Sequence, residues 1–190
     1  MKKFILYFIT LLLVISACKK GENDPSISFR TRKARLTGVW QIKTGTSRYV
    51  EESGTGAAYY ESFYYDNNNY MFADNPNYYY VGGHTLTMKF EKDGKITFTE
   101  VFDGISTSYY GNWDFNNGIG EKKKKEQVII HFTSKTNYQG TFKYKGNLTD
   151  ITYDITELRN DKMKLLAKYK TENPDGSSVY YEDIYEMKQE

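Results

Sequence analysis

A second cysteine is missing from this sequence, which excludes an internal disulfide. The fold must hold by burial and backbone pairing alone. Histidine is nearly as scarce, with only His84 and His131. A hydrolytic triad needs a histidine between a nucleophile and an acid, so chemistry of that kind has little material. With three prolines in the whole chain, long segments stay free to pair as strands. The longest apolar run, Phe4 to Ala17, would reach only ~21 Å as a helix. A hydrocarbon core of ~30 Å needs ~20 apolar residues, so a membrane-spanning helix is excluded there. A net charge of +2 lacks the basic excess a nucleic-acid partner calls for. Nor does any run of ten or more residues carry a 3.6-residue apolar period.

What is present begins with Lys2 and Lys3, an apolar core, and small residues at 16 and 17, the three parts of a secretory signal. Ile15-Ser16-Ala17-Cys18 resembles the lipobox of bacterial lipoproteins. The resemblance implies cleavage after Ala17, a diacylglycerol on the Cys18 thiol and acylation of the freed amine. Two or more chains hold a protein on a membrane where one is marginal. Removing residues 1–17 takes Lys2 and Lys3 from the 26 basic residues, leaving 24 against 24 acidic, a neutral domain. Lys19-Lys20 does not resemble an Asp-type inner-membrane retention signal. The expected location is therefore the cell envelope, lipid-anchored in the outer membrane, on its periplasmic or surface face.

Residues 18–35 are expected to be a lipidated tether and 36–190 a single domain. The seventeen residues 19–35 could extend ~55 Å. Phe29 to Arg35 is basic and predicts one or two helical turns capped by Ser28, solvated and leading into the first strand. From Leu36 the period becomes two. Trp40 and Ile42 oppose Gln41 and Lys43; Leu86, Met88 and Phe90 oppose Thr85, Thr87 and Lys89; Ile96 and Phe98 oppose Thr97 and Thr99. Asp93-Gly94 signals a hairpin, with Gly accepting the positive φ of a type I′ turn, and Asp103-Gly104 makes the next turn. Met163, Leu165, Ala167 and Tyr169 line a late strand. Aromatics make up 17% of the chain, and they favour strands. The pattern predicts eight to ten antiparallel strands joined by short turns, as an up-and-down barrel or a meandering sandwich.

Gly38-Val39-Trp40, after a short basic lead-in, resembles the G-x-W opening of lipocalins, and Gly111-Asn112-Trp113 repeats the triplet. With the lipobox and the series of hairpins, the chain resembles the lipocalin-like lipoproteins of Bacteroidetes-type bacteria. The resemblance implies an all-β, antiparallel up-and-down barrel of 8–10 strands with a short basic N-terminal helical turn. It makes Gly38, Trp40, Gly111 and Trp113 structural residues of the barrel end. It also implies an arginine from a late strand against Trp40, for which Arg159 is the candidate.

No catalytic residue, metal site or cofactor is called for. His131 is expected to face outward, between Ile130 and Phe132. Asp66-Asn67-Asn68-Asn69 lacks the Gly and Glu of a calcium loop. Lys122 to Lys125 suits a solvated hairpin tip. The sharpest local feature is Tyr59, Tyr60, Tyr64, Tyr65, Tyr70, Tyr78, Tyr79 and Tyr80. Neighbouring tyrosines on a strand point to opposite faces, so half are expected to line a core and half to face solvent as a binding surface. Two functions remain open. One is a non-enzymatic carrier, anchored through Cys18, that holds a small apolar or amphipathic molecule in the barrel. The other is a surface module binding a glycan or protein through the 59–80 tyrosines. Nothing in the sequence sets an oligomeric state.

Overall fold

The computed structural model describes residues 30–190 except 57, 67–69, 76–77, 117–125, 138–139, 144–149 and 173. Within strands, the side chains of 70–75, 78–80, 140–143 and 171 also lie outside the description. Among the described residues there is one helix, α1 (Arg32–Leu36), and eleven strands. They are β1 (Gly38–Glu52), β2 (Ala58–Tyr65), β3 (Tyr70–Asn75), β4 (Tyr78–Phe90), β5 (Lys95–Phe102) and β6 (Ile105–Phe115). Then come β7 (Gln127–Asn137), β8 (Gly140–Lys143), β9 (Asp150–Leu158), β10 (Lys162–Glu172) and β11 (Ser178–Gln189).

Eight strands close an antiparallel ring, β1-β4-β5-β6-β7-β9-β10-β11 and back to β1. This is an up-and-down barrel with one short N-terminal helix, consistent with a lipocalin-like fold. Residues of one parity fill it. On β4, Leu86, Met88 and Phe90 are buried while Lys89 is exposed. The Asp103-Gly104 turn has positive φ at both residues, as a type I′ hairpin requires. Asp93-Gly94 differs, because only Gly94 has positive φ. There Gly94 N–H donates to Glu91 O and Glu91 N–H to Lys95 O. A turn over 91–94 followed by a left-handed glycine replaces the expected type I′ turn.

The other three strands change the outline at one end. Gly38–Gln41 of β1 pairs with Thr87–Phe90 of β4. From Gly45 onward β1 pairs with β2 instead, β2 pairs with β3, and β3 pairs with Tyr78–Gly83 of β4. The β2–β3 hairpin is thus wedged into a fork between β1 and β4, adding two strands to the wall. Barrel diameter grows with strand number, so this end is the wider one. Among the described residues, β8 pairs only with Ser134–Asn137 of β7.

The eight-stranded end is closed by α1. Arg32, Arg35 and Leu36 are buried, so the helix is part of the folded unit rather than a solvated lead-in. Its cap is Thr31, whose hydroxyl accepts from Ala34 N–H; Ser28 lies outside the described residues. Arg32 donates to Ile155 O at 3.1 Å and Arg35 to Leu158 O at 2.6 Å, tying α1 to the end of β9. A guanidinium cannot be buried without such acceptors. Trp40, Phe90, Met88, Met163 and Met187 are fully buried above the helix and fill this half of the barrel.

Candidate functional site

The open half differs in chemistry from the closed half. Where β1 and β4 part, the last residue of β2, Tyr65, and His84 of β4 occupy the fork with ring centroids 4.8 Å apart. Both are buried. His84 Nε2 lies 2.9 Å from Glu100 Oε1 on the neighbouring strand β5. On the far side of β1 from β2, β11 presents Tyr181, Asp183 and Tyr185 on one face. Tyr185 packs edge-on to Tyr65 at 5.9 Å and lies 6.3 Å from Tyr153 of β9.

Asp183 is the centre of this cluster and is 0% exposed. Its Oδ2 accepts hydrogen bonds from Tyr153 at 3.0 Å and from Tyr181. Its Oδ1, equally buried, has no hydrogen-bond partner among the described residues. Burial raises the Asp183 carboxyl above the ordinary carboxylate range. The hydroxyls of Tyr181, Ser47, Tyr153 and Tyr185 partly oppose that rise. Of these, Tyr181 and Tyr153 make hydrogen bonds to the carboxylate. The tyrosines are shifted upward too: Tyr153 and Tyr185 by burial and then by the Asp183 charge, Tyr65 by burial and then by Glu100. Their hydroxyls therefore stay protonated and act as donors.

The sign of the Asp183 shift gives a testable outcome. A folded-state value above the unfolded one means the native protein holds the extra proton between the two. Stability then falls as pH rises from about 4 through the raised value, and is flat above it. Urea midpoints measured from pH 4 to 8 should show this decline, and Asp183→Asn should remove it. A decline of the same size in Asp183→Asn would assign the effect to another group.

The predicted structural residues gather at the closed end. Gly38 has φ +144°, in the region that favours glycine. Trp40 Nε1 donates to Leu36 O at 2.8 Å. Trp113 Nε1 donates to Glu91 O, its ring meets Phe90 edge-on at 5.6 Å, and Lys33 Nζ stands 5.5 Å over it. Gly111 sits at a register shift where a Cβ would lie 2.1 Å from His131 O. Arg159 is more than half exposed and pairs with Glu157 at 2.6 Å. The arginines buried at that end are Arg32 and Arg35 instead, because a helix crossing the opening reaches the β9 carbonyls directly.

The tyrosine segment divides. Tyr65 is buried in the barrel; Tyr59, Tyr60 and Tyr64 are exposed, Tyr64 by 45%. Tyr70, Tyr78, Tyr79 and Tyr80 take strand positions on β3 and β4, and their side chains lie outside the described residues. So do Cys18, Asn67 to Asn69 and Lys122 to Lys125. His131 faces outward and pairs with Asp150 at 2.7 Å. Tyr169 shares its strand face with the buried Met163, Leu165 and Ala167 yet is 59% exposed. Among the described residues, β10 has no partner on its β9 side beyond Leu166, so nothing there covers Tyr169. No group of three or more His, Cys, Asp or Glu among the described residues is placed to hold a metal ion.

Asp183, Tyr153, Tyr181, Tyr185 and the His84–Glu100 pair escaped sequence reasoning. One signal was available: Asp183 stands on the same parity as Tyr181, Tyr185 and Met187, an acid on an otherwise inward face. No protein-family model matches the chain, and no curated protein matches it.

Proposed function

We propose that the protein is a non-enzymatic, lipid-anchored carrier of the bacterial outer membrane. Its barrel holds one small amphipathic molecule in the open half. The observation that supports this most is the contrast between the halves. The closed half is filled by Trp40, Phe90 and methionines, while the half widened by β2 and β3 carries Tyr65, Tyr153, Tyr181, Tyr185, Asp183 and His84. Ligand pockets combine apolar and aromatic walls with a few placed polar groups, and this interior has that composition. The lipobox ending in Cys18 supports the anchor.

Native mass spectrometry of the full chain extracted from its own membranes tests both parts. The expected spectrum shows acylation at Cys18 and a second, non-covalent amphiphile released on unfolding. Cys18→Ser should abolish labelling by a tagged fatty acid but keep the non-covalent adduct. Labelling that survives Cys18→Ser would remove the anchor. An extracted chain with no releasable adduct would remove the carrier. The exposure of Tyr59, Tyr60 and Tyr64 favours the second reading, a glycan or protein surface. Serine at all three would abolish partner capture under that reading and leave the adduct untouched.

A further inference from the structure

Asp183 poses a problem the rest of the barrel does not. A buried carboxylate is costly unless paired and hydrogen-bonded. Most buried charges in proteins meet a cation. The other buried acid among the described residues, Glu157, meets Arg159 and Lys162. Glu100 meets His84. Asp183 meets only hydroxyls among the described residues, and both hydrogen bonds go to one oxygen. Oδ1 is left with no donor.

The surroundings have a sign. Tyr65, Tyr153, Tyr181 and Tyr185 come from β2, β9 and β11 and are neutral. His84, the titratable group facing Tyr65 from β4, is already committed to Glu100. Aromatic faces attract cations, most strongly when water is excluded. A carboxylate with a vacant acceptor among tyrosine rings repels anions and offers a cation both charge and a hydrogen-bond acceptor. Access comes from the wide end: Tyr181, two residues along β11, is only partly buried, and its register partner Tyr169 is exposed.

We propose that Asp183 Oδ1 accepts an N–H from an ammonium group, so that the molecule carried is an amphipathic primary amine. This rests on the carrier reading above and narrows its ligand class. No bond is made or broken; the complex is an ion pair.

The test is calorimetry on the full chain carrying Cys18→Ser, with four submicellar twelve-carbon probes: dodecylamine, dodecanol, dodecanoate and dodecyltrimethylammonium. Dodecylamine should bind at least ~10-fold more tightly than dodecanol at pH 7, the size of one charge-assisted hydrogen bond. Asp183→Asn should reduce the ratio of dodecylamine to dodecanol affinity to about twofold. Should Asp183→Asn fail to fold by near-ultraviolet circular dichroism, the ranking on the unsubstituted barrel decides, because dodecyltrimethylammonium has the charge without an N–H and should bind more weakly than dodecylamine. Equal binding of dodecanoate or of dodecyltrimethylammonium overturns the amine assignment. So does a preference that survives in folded Asp183→Asn. Dodecanol binding without amine preference, as expected if an internal water satisfies Oδ1, overturns the assignment and leaves the carrier standing. Binding of none of the four overturns both.

Discussion

Replacing Trp40 by alanine is expected to destabilise the protein by about 3–5 kcal/mol, the largest effect of any single substitution considered. Three terms add in the same direction. The indole is fully buried, so its transfer from water is lost. Its register partner Met88, and Phe90 and Met163 of the same core, are themselves buried in a closed wall, so they cannot collapse into the space. The Leu36 carbonyl that Nε1 bonds loses its donor at the junction of α1 and β1. For a domain of this size the loss corresponds to a fall in Tm of roughly 10 °C. Chemical denaturation should show the midpoint move with the slope nearly constant. A loss below about 1 kcal/mol would mean that the closed end is loosely packed.

Arg35→Ala should cost about 2–4 kcal/mol, through the buried bond to Leu158 O and the packing of the side-chain stem. Arg159→Ala should cost no more than about 1 kcal/mol, because Arg159 is more than half exposed and Lys162 remains near Glu157. The pair of substitutions decides which arginine closes the barrel. An Arg159→Ala loss as large as that of Arg35→Ala would mean that Arg159 shares in the closure. Lys in place of Arg35 should recover only part of the loss, since an ammonium lacks the fork that reaches the β9 carbonyl.

Local patterns were legible because they depend on neighbours in sequence. Alternation on β4 and β5 follows from the two-residue period, and Asp103-Gly104 from its backbone demand. The fork was not legible. Whether β4 pairs with β1 or with β3 is settled along one strand, between Gly83 and Thr87, by competition between β3, its neighbour in sequence, and the distant β1. The basic run before Leu36 misled for a similar reason. Arg32 and Arg35 look solvated until the strand end whose carbonyls they bond is in place. Asp183 was hidden by numbers, one acid among 24. Its parity with Tyr181 and Tyr185 gains meaning only once β11 is known to be flanked by β1 and β10, with that face turned inward.

The seam between β1 and β11 runs from Trp40–Gln189 to Glu52–Ser178, along nearly the whole length of both strands. It joins the first strand to the last. The ring therefore cannot close until the final twelve residues of the barrel have been made and brought back across more than a hundred others. Pairings of such sequence separation slow folding, because the chain gives up its freedom before the contacts reward it. Until then β1 presents an unpaired edge, a template for another chain. The kinetic vulnerability of the protein lies in that interval, at its two ends together.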